Sequence, residues 1–194
     1  MIAIIDYKMG NLRSVENALK RLGAEFCVTA DPEIIRRADR VLLPGVGNAA
    51  EAMHNLHQAQ LTEVIKNLRQ PVLGICVGMQ VMCLHSEEGD VDCLGIFDTN
   101  VRRFPSNSTE KVPHMGWNSI HNLESKLMKD IRGGEHVYYV HSYYPELCQD
   151  TIATTQHGLM FSGALKYENF YGTQFHPEKS GDTGERILKN FLRI

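Results

Sequence analysis

The sequence predicts an α/β fold: a mostly parallel sheet covered by helices on both faces, with an antiparallel portion in the second half. Three observations carry this expectation. In the first half, short apolar runs alternate with stretches at helical spacing, the pattern of right-handed β-α-β units. From about Leu94 the helical period fades and short β-rich pieces follow one another. The end, 183–192, returns to helical spacing.

The elements follow in order. Ile2–Ile5 is an unbroken apolar run, as a strand buried on both faces requires. Gly10-Asn11 leads into Leu12, Val15, Ala18, Leu19 and Leu22 at helical spacing, and Gly23 stops that helix. Segments 26–29 and 41–43 are strands. Asn48 is placed as the N-cap of a long helical pattern over 49–68, and 72–75 is a fourth apolar strand. Further strands are expected at 100–104, 112–120, 137–140, 151–155, 163–165 and 171–175. The chain, 1–194, is expected to be one domain, because neither side of a break near Cys93 is large enough to stand alone.

Composition narrows the function. Twenty basic against 23 acidic side chains give a net charge of −3, so nothing electrostatic points to nucleic acid or an anionic membrane. No run approaches the ~18 apolar residues of a membrane-spanning helix, and the first residues are too short for a signal peptide. Five cysteines in no staple-like pattern fit a reducing compartment, so a cytoplasmic protein is expected.

Val72-Leu73-Gly74-Ile75-Cys76-Val77-Gly78-Met79-Gln80 is the most informative segment. An apolar strand enters Gly-x-Cys-x-Gly and then a helix-compatible stretch over 79–84, the thiol version of a nucleophile elbow. Side chains two residues either side of so sharp a turn would crowd it, hence the glycines. The positive end of the following helix favours a thiolate, and the Val77 amide points where an oxyanion would form. The plain alternative is a buried cysteine beside packing glycines. Cys27, Cys83, Cys93 and Cys148 are read as apolar fillers, with Cys83 expected seven residues along the same helix as Cys76.

A thiolate in acyl transfer needs a proton-shuttling imidazole and a group that fixes its tautomer. Phe175-His176-Pro177-Glu178 supplies both: proline keeps His176 extended, and residues two apart then face the same side. A surface turn is the alternative reading of this tetrapeptide taken alone. His54 and His57, three apart on a helical pattern, lack a third ligand, so no metal is expected there. His85, His121, His136 and His157 have no supporting context. Leu42-Leu43-Pro44-Gly45-Val46-Gly47 ends a predicted strand, at the sheet edge where open α/β folds bind ligands.

Pro44-Gly45-Val46-Gly47, the Cys76 segment and the His176-Pro177-Glu178 segment together resemble the signature of class I (triad) glutamine amidotransferases, in that family's order over nearly the whole chain. Gly10-Asn11-Leu12-Arg13-Ser14-Val15, Pro113-His114-Met115-Gly116-Trp117-Asn118, Val140-His141-Ser142-Tyr143 and His176-Pro177-Glu178-Lys179-Ser180 resemble one branch: the glutaminase subunits of imidazole glycerol phosphate synthase. Val77 and Cys83 stand where other apolar residues are usual, and neither departure alters a triad residue.

The resemblance implies a three-layer, flavodoxin-like sheet and no cofactor. It implies Cys76 as nucleophile, His176 as proton shuttle and Glu178 as its orienter, with the oxyanion held by backbone amides of Gly45, Val46, Gly47 and Val77. Gly47, Gln80, Glu88, Ser142 and Tyr143 would line the glutamine site. Ammonia would pass to a separate cyclase subunit, since a barrel cyclase needs about 250 residues. Asn11, Trp117, Asn118, Tyr138 and Lys179 would face that partner, and the Gly45–Gly47 segment would fall into place on docking. Rival readings are a stand-alone γ-glutamyl thiol hydrolase, a paralogous subunit feeding ammonia to a sugar-modifying enzyme, and a binding protein that keeps the fold.

Overall fold

Strand β1 (Ile2–Ile5) takes a central place in the sheet because all four of its side chains are apolar and buried. The computed structural model describes residues 1–107 and 110–194. After β1 come α1 (Leu12–Arg21), β2 (Phe26–Thr29), α2 (Pro32–Arg37), β3 (Arg40–Gly45), α3 (Ala49–Gln58), α4 (Thr62–Lys66), β4 (Val72–Cys76) and α5 (Val77–Gln80). The second half holds β5 (His85–Ser86), β6 (Val91–Asp92), β7 (Asn100–Arg103), β8 (His114–Ser119), β9 (His136–His141), β10 (Tyr143–Pro145), β11 (Thr151–His157), β12 (Leu159–Tyr167), β13 (Phe170–Thr173) and α6 (Gly181–Phe191).

The main sheet runs β11-β12-β13-β4-β3-β1-β2. From β13 to β2 it is parallel, in the doubly wound order 2-1-3-4 with β13 as the fifth strand, while β11 and β12 add an antiparallel edge. The expected α/β class, mostly parallel with an antiparallel portion, is the fold observed. A smaller sheet, β10-β7-β5-β6, and the β8-β9 ribbon complete the second half.

Two helices differ from the sequence expectation. The pattern over 49–68 divides into α3 and α4, because Gln60 takes φ 56° and closes α3. Gln60 N donates to His57 O (3.0 Å) and Leu61 N to Leu56 O (2.9 Å), a Schellman closure built without glycine. α2 is additional: Asp31 accepts from Glu33 N at 2.8 Å as its N-cap, and Pro32 opens it.

Apolar burial decides stability here. Truncating a fully buried side chain such as Leu42 or Leu43 to alanine costs about 2–5 kcal/mol. The exposed pairs Lys20–Glu16 (3.7 Å) and Lys189–Glu185 (2.8 Å) are screened by water and add little beside it. The core therefore holds β3 and β4 rigidly, and their carboxyl ends carry the candidate site.

Candidate active site

Cys76 is the last residue of β4, in the strand register opposite Gly45 of β3. Its backbone stands at φ 54°, ψ −113°, a conformation that L-residues avoid, and it opens directly into α5. The glycines around it are required by close approach. A Cβ on Gly78 would overlap the Leu43 carbonyl oxygen, and one on Gly74 would lie 2.7 Å from Gly78 O. A Cβ on Gly45 would come 2.5 Å from Gly78 N and 2.7 Å from the Tyr7 hydroxyl. β3, β4 and α5 thus meet backbone to backbone at the cysteine.

One expectation is corrected at this point. α5 ends at Gln80, so Cys83 lies in the following turn rather than on a helix face shared with Cys76. The helix is a single turn, and dipole stabilisation of the sulfur is correspondingly small. The Val77 amide, at the first helical position, is one that has no acceptor inside the helix.

His176 follows β13 with φ −95°, ψ 97°, extended as its proline neighbour dictates. Its backbone N–H donates to Tyr138 O (2.9 Å) and its carbonyl accepts from Ser180 Oγ (2.6 Å), so the residue is anchored at both ends. The Nδ1 lies 2.8 Å from Glu178 Oε1, and both side chains are 2% exposed. With Nδ1 engaged, Nε2 is left on the Cys76 side. It feels the sulfur through charge and hydrogen bonding, at a geometry looser than a regular hydrogen bond. Burial by itself would push the imidazole down; Cys76, followed by Glu178, instead holds it up at about 10.

A cavity of about 150 Å³ opens over this pair, room for about five waters or one small amino acid. Of the residues expected to bind glutamine, Gly47, Gln80, Glu88, Ser142 and Tyr143 all line it, with Val46, Val77, Cys76 and His176. Glu178 stands behind His176, and Gly45 lies outside the lining. Gly47 takes φ 96°, open to glycine and strained for other residues. Glu88 Oε2 accepts from Ala49 N (3.0 Å) at the start of α3, and burial raises its carboxyl despite that donor. Gln80 turns its Nε2 away, to Tyr143 O (3.0 Å) and Gln174 Oε1 (2.9 Å).

Two contributors are absent from the sequence expectation. Gln174 is buried and reaches Cys76 Sγ at 3.7 Å; the one sequence feature that marks it is its place two residues before His176. Tyr7 buries its hydroxyl under Gly45, and desolvation, then the nearby Cys76, keeps that phenol neutral. No sequence pattern marks Tyr7.

The five residues expected at a partner interface are dispersed in the chain. Trp117 is 57% exposed and Met115 63%, on β8. Trp117 pairs in register with Tyr138 of β9, their rings 6.0 Å apart. Asn118 is half-buried beside them, and Lys179 sits in the turn after His176. Asn11 is exposed and caps α1, accepting from Ser14 N at 3.4 Å. Among the described residues, no helix is long and apolar enough to cross a membrane, and no group of three His, Cys, Asp or Glu is placed to hold a metal ion.

A thiol at the carboxyl end of a parallel strand, facing an imidazole held by a carboxylate, is the arrangement of a triad thiol enzyme on an α/β sheet. The model of the class I glutamine amidotransferase family matches residues 3–194. A Bacteroides thetaiotaomicron protein named imidazole glycerol phosphate synthase subunit HisH is 57% identical over 194 residues, 100% of this chain and 99% of that protein. Its namesake in Idiomarina loihiensis is 46% identical over 193 residues, 100% and 97% of the two chains. Among solved structures, a glutamine amidotransferase from Thermotoga maritima has a TM-score of 0.66 at 19% identity, over 99% of this chain and 82% of that one. The glutaminase domain of Trypanosoma brucei CTPS has 0.65 at 16%, over 99% and 93%. The chain belongs to the class I glutamine amidotransferases and, within them, to the HisH family.

Proposed function

We propose that this chain hydrolyses glutamine to glutamate and ammonia and hands the ammonia to a separate cyclase subunit, as the glutaminase half of imidazole glycerol phosphate synthase in histidine biosynthesis. The observation that carries the reading is Cys76, in its left-handed backbone conformation, under the same cavity as the His176–Glu178 pair.

Cys76 Sγ attacks the side-chain carboxamide carbon of glutamine, forming a C–S bond. Backbone amides from the Gly45–Gly47 segment and Val77 hold the tetrahedral oxyanion. As the C–N bond breaks, His176 gives its proton to the departing ammonia. Water then attacks the thioester while His176 takes its proton, and glutamate leaves with the thiol restored. Glu178 holds the imidazole tautomer throughout. Gly47, Gln80, Glu88, Ser142 and Tyr143 position the amino acid, Glu88 giving its ammonium a carboxylate. The reaction needs no cofactor.

The cyclase docks on the face carrying Asn11, Trp117, Asn118, Tyr138 and Lys179, and its product is imidazole glycerol phosphate with aminoimidazole carboxamide ribotide. The exposed Trp117 and Met115 favour this over a stand-alone γ-glutamyl hydrolase. The chain works as one domain in the cytoplasm. Docking sets the Gly45–Gly47 segment, so the isolated chain turns glutamine over slowly; a rate equal to that of the liganded complex overturns the gating.

The test is Cys76→Ala in the complex assembled with its cyclase. Glutamine-dependent cyclisation is lost, while cyclisation with added ammonia survives. Retained glutamine hydrolysis refutes the nucleophile assignment.

A further inference from the structure

We infer that Gln174 is a positioning residue for Cys76: its side-chain amide donates a hydrogen bond to the sulfur, favouring the thiolate and fixing where it points. This deepens the reading of Cys76 as nucleophile and rests on it.

Gln174 Nε2 stands 3.7 Å from Cys76 Sγ, a normal separation for a sulfur acceptor, and the side chain is fully buried. Its neighbours leave one orientation. Gln80 Nε2 donates both to Tyr143 O (3.0 Å) and to Gln174 Oε1 (2.9 Å). A main-chain carbonyl can only accept, so the Gln80 amide cannot be reversed. The atom of Gln174 that meets Gln80 must then be oxygen, and the atom that meets the sulfur must be the NH₂. Reversing Gln174 would set two NH₂ groups against each other and an oxygen against the sulfur, leaving buried polar groups unpaired.

The chain of constraint extends further. Tyr143 O also accepts from His141 Nδ1 at 2.7 Å, so the acceptor that aligns Gln80 is itself held. The backbone of Gln174 is fixed through its N–H to Gly163 O at 2.9 Å. Gln174 and His176 stand two residues apart where the chain bends after β13, and the sulfur receives both. His176 exchanges the proton, whereas Gln174 carries one that cannot leave. A fixed donor of this kind stabilises the anion at every stage in which sulfur bears charge, including expulsion from the tetrahedral intermediate. It needs no reorganisation when glutamine binds.

The readout is alkylation of Cys76 by iodoacetamide across pH, located by peptide mass spectrometry in the full chain. Gln174→Met keeps the shape and removes the donor. Its alkylation profile is expected to move about one pH unit to the alkaline side, giving about tenfold slower modification below the midpoint. In the assembled enzyme kcat falls while KM for glutamine is nearly unchanged. Gln174→Glu, also near-isosteric, sets a carboxyl in place of the NH₂ and is expected to slow alkylation further as that carboxyl ionises. If the first variant does not fold, the second decides. A profile superimposable on that of the unmodified protein in a folded variant overturns the inference. The parent reading fails separately, through retained glutaminase activity of Cys76→Ala.

Discussion

His114 Nδ1 and His141 Nε2 stand 2.9 Å apart, and their surroundings assign every proton between them. His141 donates from Nδ1 to Tyr143 O, so its Nε2 accepts. His114 therefore donates from Nδ1, and its Nε2 accepts from Asn118 Nδ2 at 3.1 Å. Asn118 is itself oriented, since Ser119 N donates to its Oδ1 (2.8 Å) and Nδ2 donates to Gln156 O (2.9 Å). Both imidazoles are neutral, and the network runs from Asn118 on β8 to the cavity wall at Tyr143.

Acid sensitivity follows from that pair. Burial first, then neighbouring imidazoles including His157, push both rings down to about 3. A lowered folded value means that the stability they contribute is complete above the unfolded value of about 6.5 and is lost as pH falls towards about 3. An added proton on His114 Nε2 would also confront the Asn118 donor. For fully enclosed His141 the slope approaches about 1.4 kcal/mol per pH unit. Denaturant unfolding between pH 7 and 4 is expected to show this slope in the unmodified protein and a shallower one in His141→Gln. Parallel slopes contradict it.

His176 titrates the other way. Against the downward push of burial, Cys76 and Glu178 hold it at about 10, so its protonated contribution is complete below about 6.5 and fades as pH rises through about 10. Glutamine hydrolysis should therefore lose its acid on an alkaline limb near pH 10. Glu178→Gln keeps an acceptor for Nδ1 but removes the charge. The limb is expected to move to lower pH, with kcat down by about 100-fold. A pH–rate profile of the complex checks both, and an unmoved limb counts against Glu178 as the orienter.

Two glycines separate steric need from conformational need. Gly78→Ala would drive a Cβ into the Leu43 carbonyl, a backbone group that cannot step aside. The expected cost is about 1–3 kcal/mol of stability together with loss of glutaminase activity, because α5 and the Val77 amide move with it. Gly23 has open space around it but φ 68°, so Gly23→Ala costs about 1–2 kcal/mol and leaves turnover intact. Thermal unfolding beside kcat distinguishes the two; equal activity in both variants would sink the close-approach account.

These residues also show what was legible in the sequence. α1 and α3 end in the same closure, Ala24 N to Leu19 O at 3.1 Å in one and Leu61 N to Leu56 O at 2.9 Å in the other. Gly23 announces the first, whereas Gln60 hides the second, since nothing in its residue type signals the φ of 56° that it takes. The elbow and the His176–Glu178 pair were readable because tight turns and proline restrict residue choice locally. Gln174 and Tyr7 act through contacts 98 and 38 positions away, to Cys76 and Gly45, which no local period encodes.

Docking yields the last prediction. Trp117 is 57% exposed, its ring set against Tyr138 and beside Gly181 at the start of α6, so Trp117→Ala should change unfolding stability by only about 0.5 kcal/mol. A tryptophan at the centre of an interface costs about 2 kcal/mol or more on truncation, about thirtyfold in Kd. Tyr138 next to it accepts the His176 N–H through its carbonyl, so a partner pressed on this face lies one strand from the proton shuttle. Titration of the variant against the cyclase should show weakened binding, and turnover at saturating cyclase should return towards that of the unmodified complex. Weakened binding matched by an equal loss of fold stability would instead make Trp117 a structural residue of the β8-β9 ribbon.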